Sequence, residues 1–481
     1  MITPDSPDRV YSTRLRTALV LTGSGTAGAY HAGVLRALHE AGIKIDLVAG
    51  RGIGAVSALF AAVDGGARLW DADGIWKGAS AATFYGWRGP LRTAAWTLLA
   101  AAAILAIPLL LLATAVLVGI AGLLVTLIGF EQFGSTLTAG YSRWIATLFS
   151  PDVLPTVIPR LVLFAVLVAA TWLVGGALLA RFRGSARRRT RQGLAWTLAG
   201  SPLSSTAVFS RSIVELWNLI RGAAPLALPE WPELGRKYVE LLTENLGQPG
   251  FRELMILCHD MDARRDLVFA VLRESHRSRF FGRPNADDRA ARQIEALDLT
   301  GVAREHTLDG LASALAVPIA TEPHLVTFST EGPWRGETHR LCDRPGALAR
   351  LLEEAAVAGA EQIVLISASP PAARPHELSA GRADIRGRAG EQLSAFESAG
   401  LRDVLEHFGG RFAGLFVVRP AHNPLGPLDF GGVYDERSDR RHTLGELVDR
   451  GYEDAYRQFI EPIVGASGER IEAARSVGSP A

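Results

Sequence analysis

Two glycine-rich corners hold the residues of this 481-residue chain whose types and spacing could do chemistry. The first, Gly23-Ser24-Gly25-Thr26-Ala27-Gly28, has G-x-G-x-x-G spacing. Backbone N–H groups at such a helix entrance can bind a phosphate, or the oxyanion that develops when an ester carbonyl is attacked. The second, Gly50-Arg51-Gly52-Ile53-Gly54, has the glycine frame of a nucleophile elbow, G-x-S-x-G, a sharp strand-to-helix turn. A dinucleotide site through Gly23–Gly28 accounts for the first corner alone. It expects an acid near the end of the second strand, whereas Asp46 stands at that strand's start and Gly50 at its end. An acyl-transfer site accounts for both corners.

The flanking residues must position these corners. Thr17–Thr22 reads as a strand, Gly33–Glu40 as a helix, Ile45–Ala49 as a second strand and Ala55–Val63 as a second helix. This alternation predicts a layered α/β fold. Further strands are expected at Leu254–Cys258, Leu325–Phe328, Ile363–Ser367 and Phe412–Val418, and amphipathic helices at Ala347–Ala358 and Leu444–Phe459. Asp435–Arg441 is a charge run that reads as a solvated turn.

The run Leu21–Leu38, through Gly23-Ser24-Gly25-Thr26-Ala27-Gly28-Ala29-Tyr30-His31-Ala32-Gly33, resembles the oxyanion loop and first helix of the patatin-like phospholipases. The elbow follows at the expected distance. Leu254–Asp262 resembles the family's strand with its Asp-containing turn, Leu311–Pro318 the helix before its aspartate, and Asp343-Arg344-Pro345-Gly346 its Asp-Gly-Gly turn. The similarity covers roughly residues 15–65 and 250–370. It implies a three-layer α/β/α patatin-like fold, an oxyanion hole at Gly23, Ser24, Gly25 and Thr26, an elbow framed by Gly50 and Gly54, Asp343 as the dyad acid, and lipid acyl hydrolysis.

The chain departs from that pattern at the decisive atom. The family's nucleophilic serine belongs at position 52, where this chain has Gly52. Removing a hydrolase's serine costs about 10⁶ in turnover. Glycine also relieves the strained backbone of an elbow, worth about 1–3 kcal/mol, so the fold survives and the chemistry is lost or weak. The expected function is therefore lipid or acyl-ester binding; the alternatives are an active hydrolase using a non-standard nucleophile such as Ser24, and a dinucleotide-binding membrane protein. Ser57 is expected to point into helix packing, His31 to sit one turn into the first helix, and Cys342 to be a small buried residue. Two decoys are set aside: Asp429-Phe430-Gly431-Gly432 as a turn, and Cys258-His259-Asp260 because consecutive strand residues face opposite sides. No metal or cofactor is expected.

Composition adds a membrane. Hydrophobic residues make up 48% and charged residues 21% of the chain, with 50 basic against 49 acidic side chains and a mean hydropathy of +0.17. The charge balance argues against a nucleic-acid partner, and two cysteines fit a reducing compartment. No cleaved signal peptide is expected. Thr93–Phe130 and Leu161–Ala180 lack any charged residue, and two spans are expected, one within 93–130 and one at 161–180. The six arginines of Arg181–Arg191 place that flank, and the patatin-like domain, on the cytoplasmic side of a multi-pass protein, where they can hold anionic headgroups. The expected domains are 1–92 and 251–420 for the two halves of the patatin-like fold, 93–180 for the transmembrane insertion, 181–250 for a basic flank and helical linker, and 421–481 for a C-terminal turn and helix.

Overall fold

The computed structural model describes residues 11–183, 200–282, 294–332, 334–373 and 384–465. The chain divides into two compact units: Met1–Gly86 with Leu203–Ala481, and Trp87–Pro202. Most of the basic run Arg181–Arg191 lies outside the described residues.

The first unit is a mixed α/β fold around one sheet. Its strands are β1 (Thr17–Thr22), β2 (Leu47–Arg51), β3 (Glu253–Asp260), β4 (Arg265–Val271), β5 (Ile294–Asp298), β6 (His324–Thr327), β7 (Thr338–Cys342), β8 (Gln362–Ser367) and β9 (Gly414–Val418). The order is β5-β4-β3-β2-β1-β8-β9, with β7 paired to β3 and β6. β1 runs parallel to both β2 and β8, and β2 parallel to β3. β3 pairs antiparallel with β4 and β7. Residues of the N-terminal and C-terminal parts of the chain thus share one continuous hydrogen-bonded ladder.

Strand alternation splits the core in two. Leu19 and Leu21 enter a cluster with helices α1 (Ala27–Glu40) and α2 (Gly54–Ala61). Ala18 and Val20 face the other way, toward α11 (Leu348–Val357) and α12 (Ile385–Phe408). Between α2 and these lie α3 (Ala67–Trp70), three long helices described below, α7 (Thr206–Arg221), α8 (Trp231–Asn245), α9 (Glu274–Phe281) and α10 (Thr307–Leu315); α13 (Leu444–Ala455) follows.

Helix α1 begins at Ala27, not at Gly33 as its sequence suggests, because its glycines are wanted for packing rather than for turning. A methyl group at Gly33 would lie 1.8 Å from the Val448 carbonyl oxygen, and one at Gly451 2.3 Å from that of Tyr30. α13 therefore lies directly on α1, and the Tyr30 hydroxyl donates to Asp454 at 3.1 Å. β2 starts at Leu47 and not at Ile45, although the Asp46 backbone still bonds Thr17 O and the Glu253 N–H on either side. Strands β4 and β5 and helix α12 have no counterpart in the sequence reading.

The second unit is helical. α4 (Gly89–Leu127) contains Pro108, α5 spans Glu131–Leu148 and α6 spans Leu154–Arg183. At 1.5 Å per residue, the 39 residues of α4 extend about 58 Å, nearly twice a bilayer core. Gly89–Leu127 and Leu154–Gly176 are long and apolar enough to cross a membrane. Residues 131–148, between the two expected spans, are helical, and α5 packs closely on α4: a methyl at Gly134 would meet Gly122 O at 2.6 Å, and Tyr141 donates to Leu111 O at 2.9 Å. Arg88 N donates to Pro202 O at 3.0 Å, so the two ends of this unit meet.

Candidate functional site

Strands β1 and β2 are parallel neighbours with Leu21 opposite Gly50. Both glycine corners therefore leave the same edge of the sheet. They touch: Ile53 N donates to Gly23 O at 3.0 Å. A methyl at Gly54 would lie 2.2 Å from Leu21 O. Gly23, Gly25 and Gly52 have φ of +138°, +58° and +57°, conformations that side chains rarely adopt.

Asp343, immediately after β7, arrives beside this elbow, its N–H bonded to Ala316 O at 2.9 Å. A Cβ on Gly52 would sit 3.1 Å from Asp343 Oδ2. The structure thus brings Gly52, the first corner and Asp343 together. Asp343 is held there by a residue that stands between the elbow glycines, Arg51. Arg51, 0% exposed, puts Nη1 2.8 Å from both Asp343 oxygens. Its Nη2 bonds Glu397 on α12, and its Nε donates to Thr22 Oγ1 at 3.1 Å. Thr22 in turn donates to Glu397 at 3.1 Å. One guanidinium is shared by two carboxylates in a site closed to water. Burial pushes the Asp343 carboxyl above the usual range, and Arg51 pulls it back down.

The first corner is equally occupied. Thr26 N donates to Pro427 O at 2.9 Å and Thr26 Oγ1 to Gly426 O at 3.0 Å. A Cβ on Gly25 would fall 1.7 Å from Pro427 O. Phe430, just beyond, stacks on Tyr85 with centroids 5.5 Å apart. Of the expected oxyanion-hole donors, the Thr26 N–H is thus taken by Pro427 O, and in the second corner the Ile53 N–H is taken by Gly23 O. A pyrophosphate at Gly23–Gly28 would need the ground that Pro427 holds. Asp429 accepts the Gly426 N–H at 2.9 Å within this same turn.

Other nucleophiles are poorly served. Ser24 Oγ is buried with no hydrogen-bond partner among the described residues. His31 is committed elsewhere: Nε2 lies 3.1 Å from Thr22 O and Nδ1 3.4 Å from Ser57 Oγ. Burial, reinforced by the nearby Arg51 charge, holds His31 down to about 4, although its bond to Thr22 O opposes the shift. Ser57 is buried in this packing. Burial raises Cys342 to about 12 and Cys258 well above the ordinary thiol, so neither is a ready thiolate. His259 bonds Asp266 while Asp260 bonds His339, so these neighbours do serve different surroundings. Arg344 forks onto Asp266.

Arg51 could have been flagged, since a charged residue closing an apolar strand must find a partner. Glu397, 346 residues away, left no local signal.

The Gly52 geometry yields the first prediction. A Cβ there meets Gly23 O at 2.3 Å, so Gly52→Ser should lower stability by about 1–3 kcal/mol and create no esterase activity. Turnover of a p-nitrophenyl ester by that variant above the parent would refute it. The second concerns acid. The folded state disfavours the His31 proton that the unfolded chain binds below about 6.5, so stability is complete above that pH and falls by about 3 kcal/mol as pH drops through 4. Asp343 acts oppositely, its contribution being present at low pH and lost as pH rises through its raised value. Chemical unfolding from pH 7 to 4 should therefore show a shallower loss for His31→Gln than for the parent; equal slopes would contradict this.

The patatin-like phospholipase family model matches residues 19–162. Among solved structures, VipD from Legionella pneumophila aligns with 11% identity over 94% of this chain and 67% of that one, at a TM-score of 0.31. No curated protein matches the chain. By the family match, which spans both glycine corners, the chain resembles the patatin-like phospholipases.

Proposed function

We propose that this chain is a membrane-embedded patatin-like protein that associates with lipid and whose elbow has lost acyl-ester hydrolysis. The observation that carries the reading is Arg51 seated between Asp343 and Glu397 beside Gly52. A patatin-like reaction needs a serine hydroxyl, an acid free to take its proton and N–H donors aimed at an oxyanion. Here the hydroxyl is absent, the acid is tied into a buried ion pair, and the Thr26 and Ile53 N–H groups are spent. The family match supports a lipid-directed origin. The alternative hydrolase through Ser24 is disfavoured by the engagement of His31 elsewhere, and a dinucleotide by the Pro427 carbonyl.

Membrane embedding is supported by the two apolar helices. Many of their large side chains are exposed, Leu109 at 69% and Leu127 at 74%, which water would not tolerate over such an area. The sheet supplies the parity. β2 pairs with β3 across the whole insertion, so both halves stand on one side and the number of crossings is even. We assign two, α4 and α6, with α5 as an accessory helix packed on α4. The arginines after residue 180 favour the cytoplasm for the α/β unit and suit anionic headgroups.

Full-length protein given phospholipid vesicles should release no fatty acid above background; release that disappears in Asp343→Asn would overturn the non-hydrolytic elbow. A reporter fused after residue 140 should be extracytoplasmic, and a cytoplasmic reporter would rule out the two-span topology.

A further inference from the structure

The charge run Asp435–Arg441 is not merely a solvated turn. It folds as a hairpin, β10 (Tyr434–Asp435) against β11 (Arg440–Arg441), immediately before α13. We propose that Ser438, His442 and Glu446 on this hairpin and helix form a second nucleophilic site, which takes small activated carboxylic esters.

Ser438 Oγ lies 2.6 Å from His442 Nε2, and His442 Nδ1 lies 2.6 Å from Glu446 Oε2. A relay of hydroxyl, imidazole and carboxylate is recognised by this geometry, not by fold or chain order. The exposure pattern suits it: Ser438 is exposed, while His442 is only 3% exposed. Two features hold the acid. Glu446 stands in the first turn of α13, whose N-cap Thr443 accepts its N–H, and Arg440 Nη2 approaches the same Oε2 at 3.4 Å. With Glu446 accepting at Nδ1–H, Nε2 presents its lone pair to Ser438. A cavity of about 190 Å³ adjoins the histidine and the acid of the relay, lined by Arg440, His442, Glu446, Asp449, Arg450 and Glu453. The size of the cavity keeps the substrate small.

Asp435 is the other group that faces the serine. Its Oδ2 lies 2.8 Å from Ser438 Oγ, 3.5 Å from His442 Nε2 and 3.4 Å from His422 Nε2. Arg437 approaches His422 from beyond, at 3.4 Å. At rest the hydroxyl donates to Asp435; for attack it turns to His442. Asp435 then adds to the negative field that stabilises the imidazolium.

The step balances. Ser438 oxygen bonds to the carbonyl carbon while its proton passes to His442 Nε2. The tetrahedral adduct collapses, the bond to the alcohol breaks, and His442 returns the proton to the leaving oxygen. Water then gives a proton to His442, attacks the acyl group and releases the carboxylic acid, restoring Ser438.

This site is independent of the elbow, and one experiment separates the two. Full-length protein in detergent is treated with a fluorophosphonate probe and the adduct is mapped by peptide mass spectrometry. The expected adduct is at Ser438. Its rate of formation should fall at least about 100-fold in His442→Gln, fall less in Glu446→Gln, and rise with pH as the imidazole loses its proton. A parallel burst of p-nitrophenol from p-nitrophenyl acetate should vanish in Ser438→Ala, an exposed turn position that folds without the hydroxyl. If the contacts only pin the hairpin to α13, Ser438 stays unlabelled, or labels at a pH-independent rate that His442→Gln does not change; either result overturns the proposal. Should His442→Gln fail to fold, the adduct position and pH profile of the unaltered protein still decide. An adduct at Ser24 with none at Ser438 would overturn this proposal and the non-hydrolytic elbow together, whereas an adduct at Ser438 leaves the elbow reading standing.

Discussion

A guanidinium sealed from water must be surrounded by acceptors, and much of this molecule's centre is arranged around that demand. Arg51 is wholly buried at the end of β2. Its partners come from the end of β1, from the turn after β7 and from the middle of α12. The cost of burying three charges is offset only when geometry is close and every donor is used. Removing one partner of such a group costs about 3–5 kcal/mol. The pair therefore acts as a clasp that draws three separate segments onto one sheet edge.

A left-handed glycine at position 52 allows Gly23 O to approach until it accepts the Ile53 N–H. Once the corners have closed in this way, a side chain at 52 has no room. Pro427 completes the closure from the C-terminal side by accepting the Thr26 N–H. The same contacts that satisfy the Thr26 and Ile53 N–H groups draw the two corners and the Pro427 turn together.

The long apolar insertion is tolerated because its ends meet. Gly86 and Ser204 are hydrogen-bonded at 3.0 Å within the α/β unit, and Arg88 and Pro202 within the helical one. A sheet interrupted after β2 can then resume at β3 with the ladder unbroken. That continuity requires both parts of the sheet to stand on the same side of any bilayer the helices enter.

Local features of the sequence determined the two corners, the strand-helix alternation around them and the apolar runs. Glycine at a position of positive φ, alternating apolar residues and uncharged stretches are properties of neighbours along the chain, so they can be read without coordinates. The closeness of Asp343 to position 52 came from resemblance, which stands in for an unseen tertiary fold. Residues 131–148 read as loop because they part the two uncharged runs and carry Glu131 and Arg143, whereas in the fold they form α5, packed on α4. Tertiary structure alone decided that Arg51 faces Asp343 and Glu397, the latter 346 residues away, and that a turn 400 residues downstream bonds Thr26. A buried charge announces that it needs a partner. Which partner it finds depends on how strands and helices far apart in sequence are brought into register.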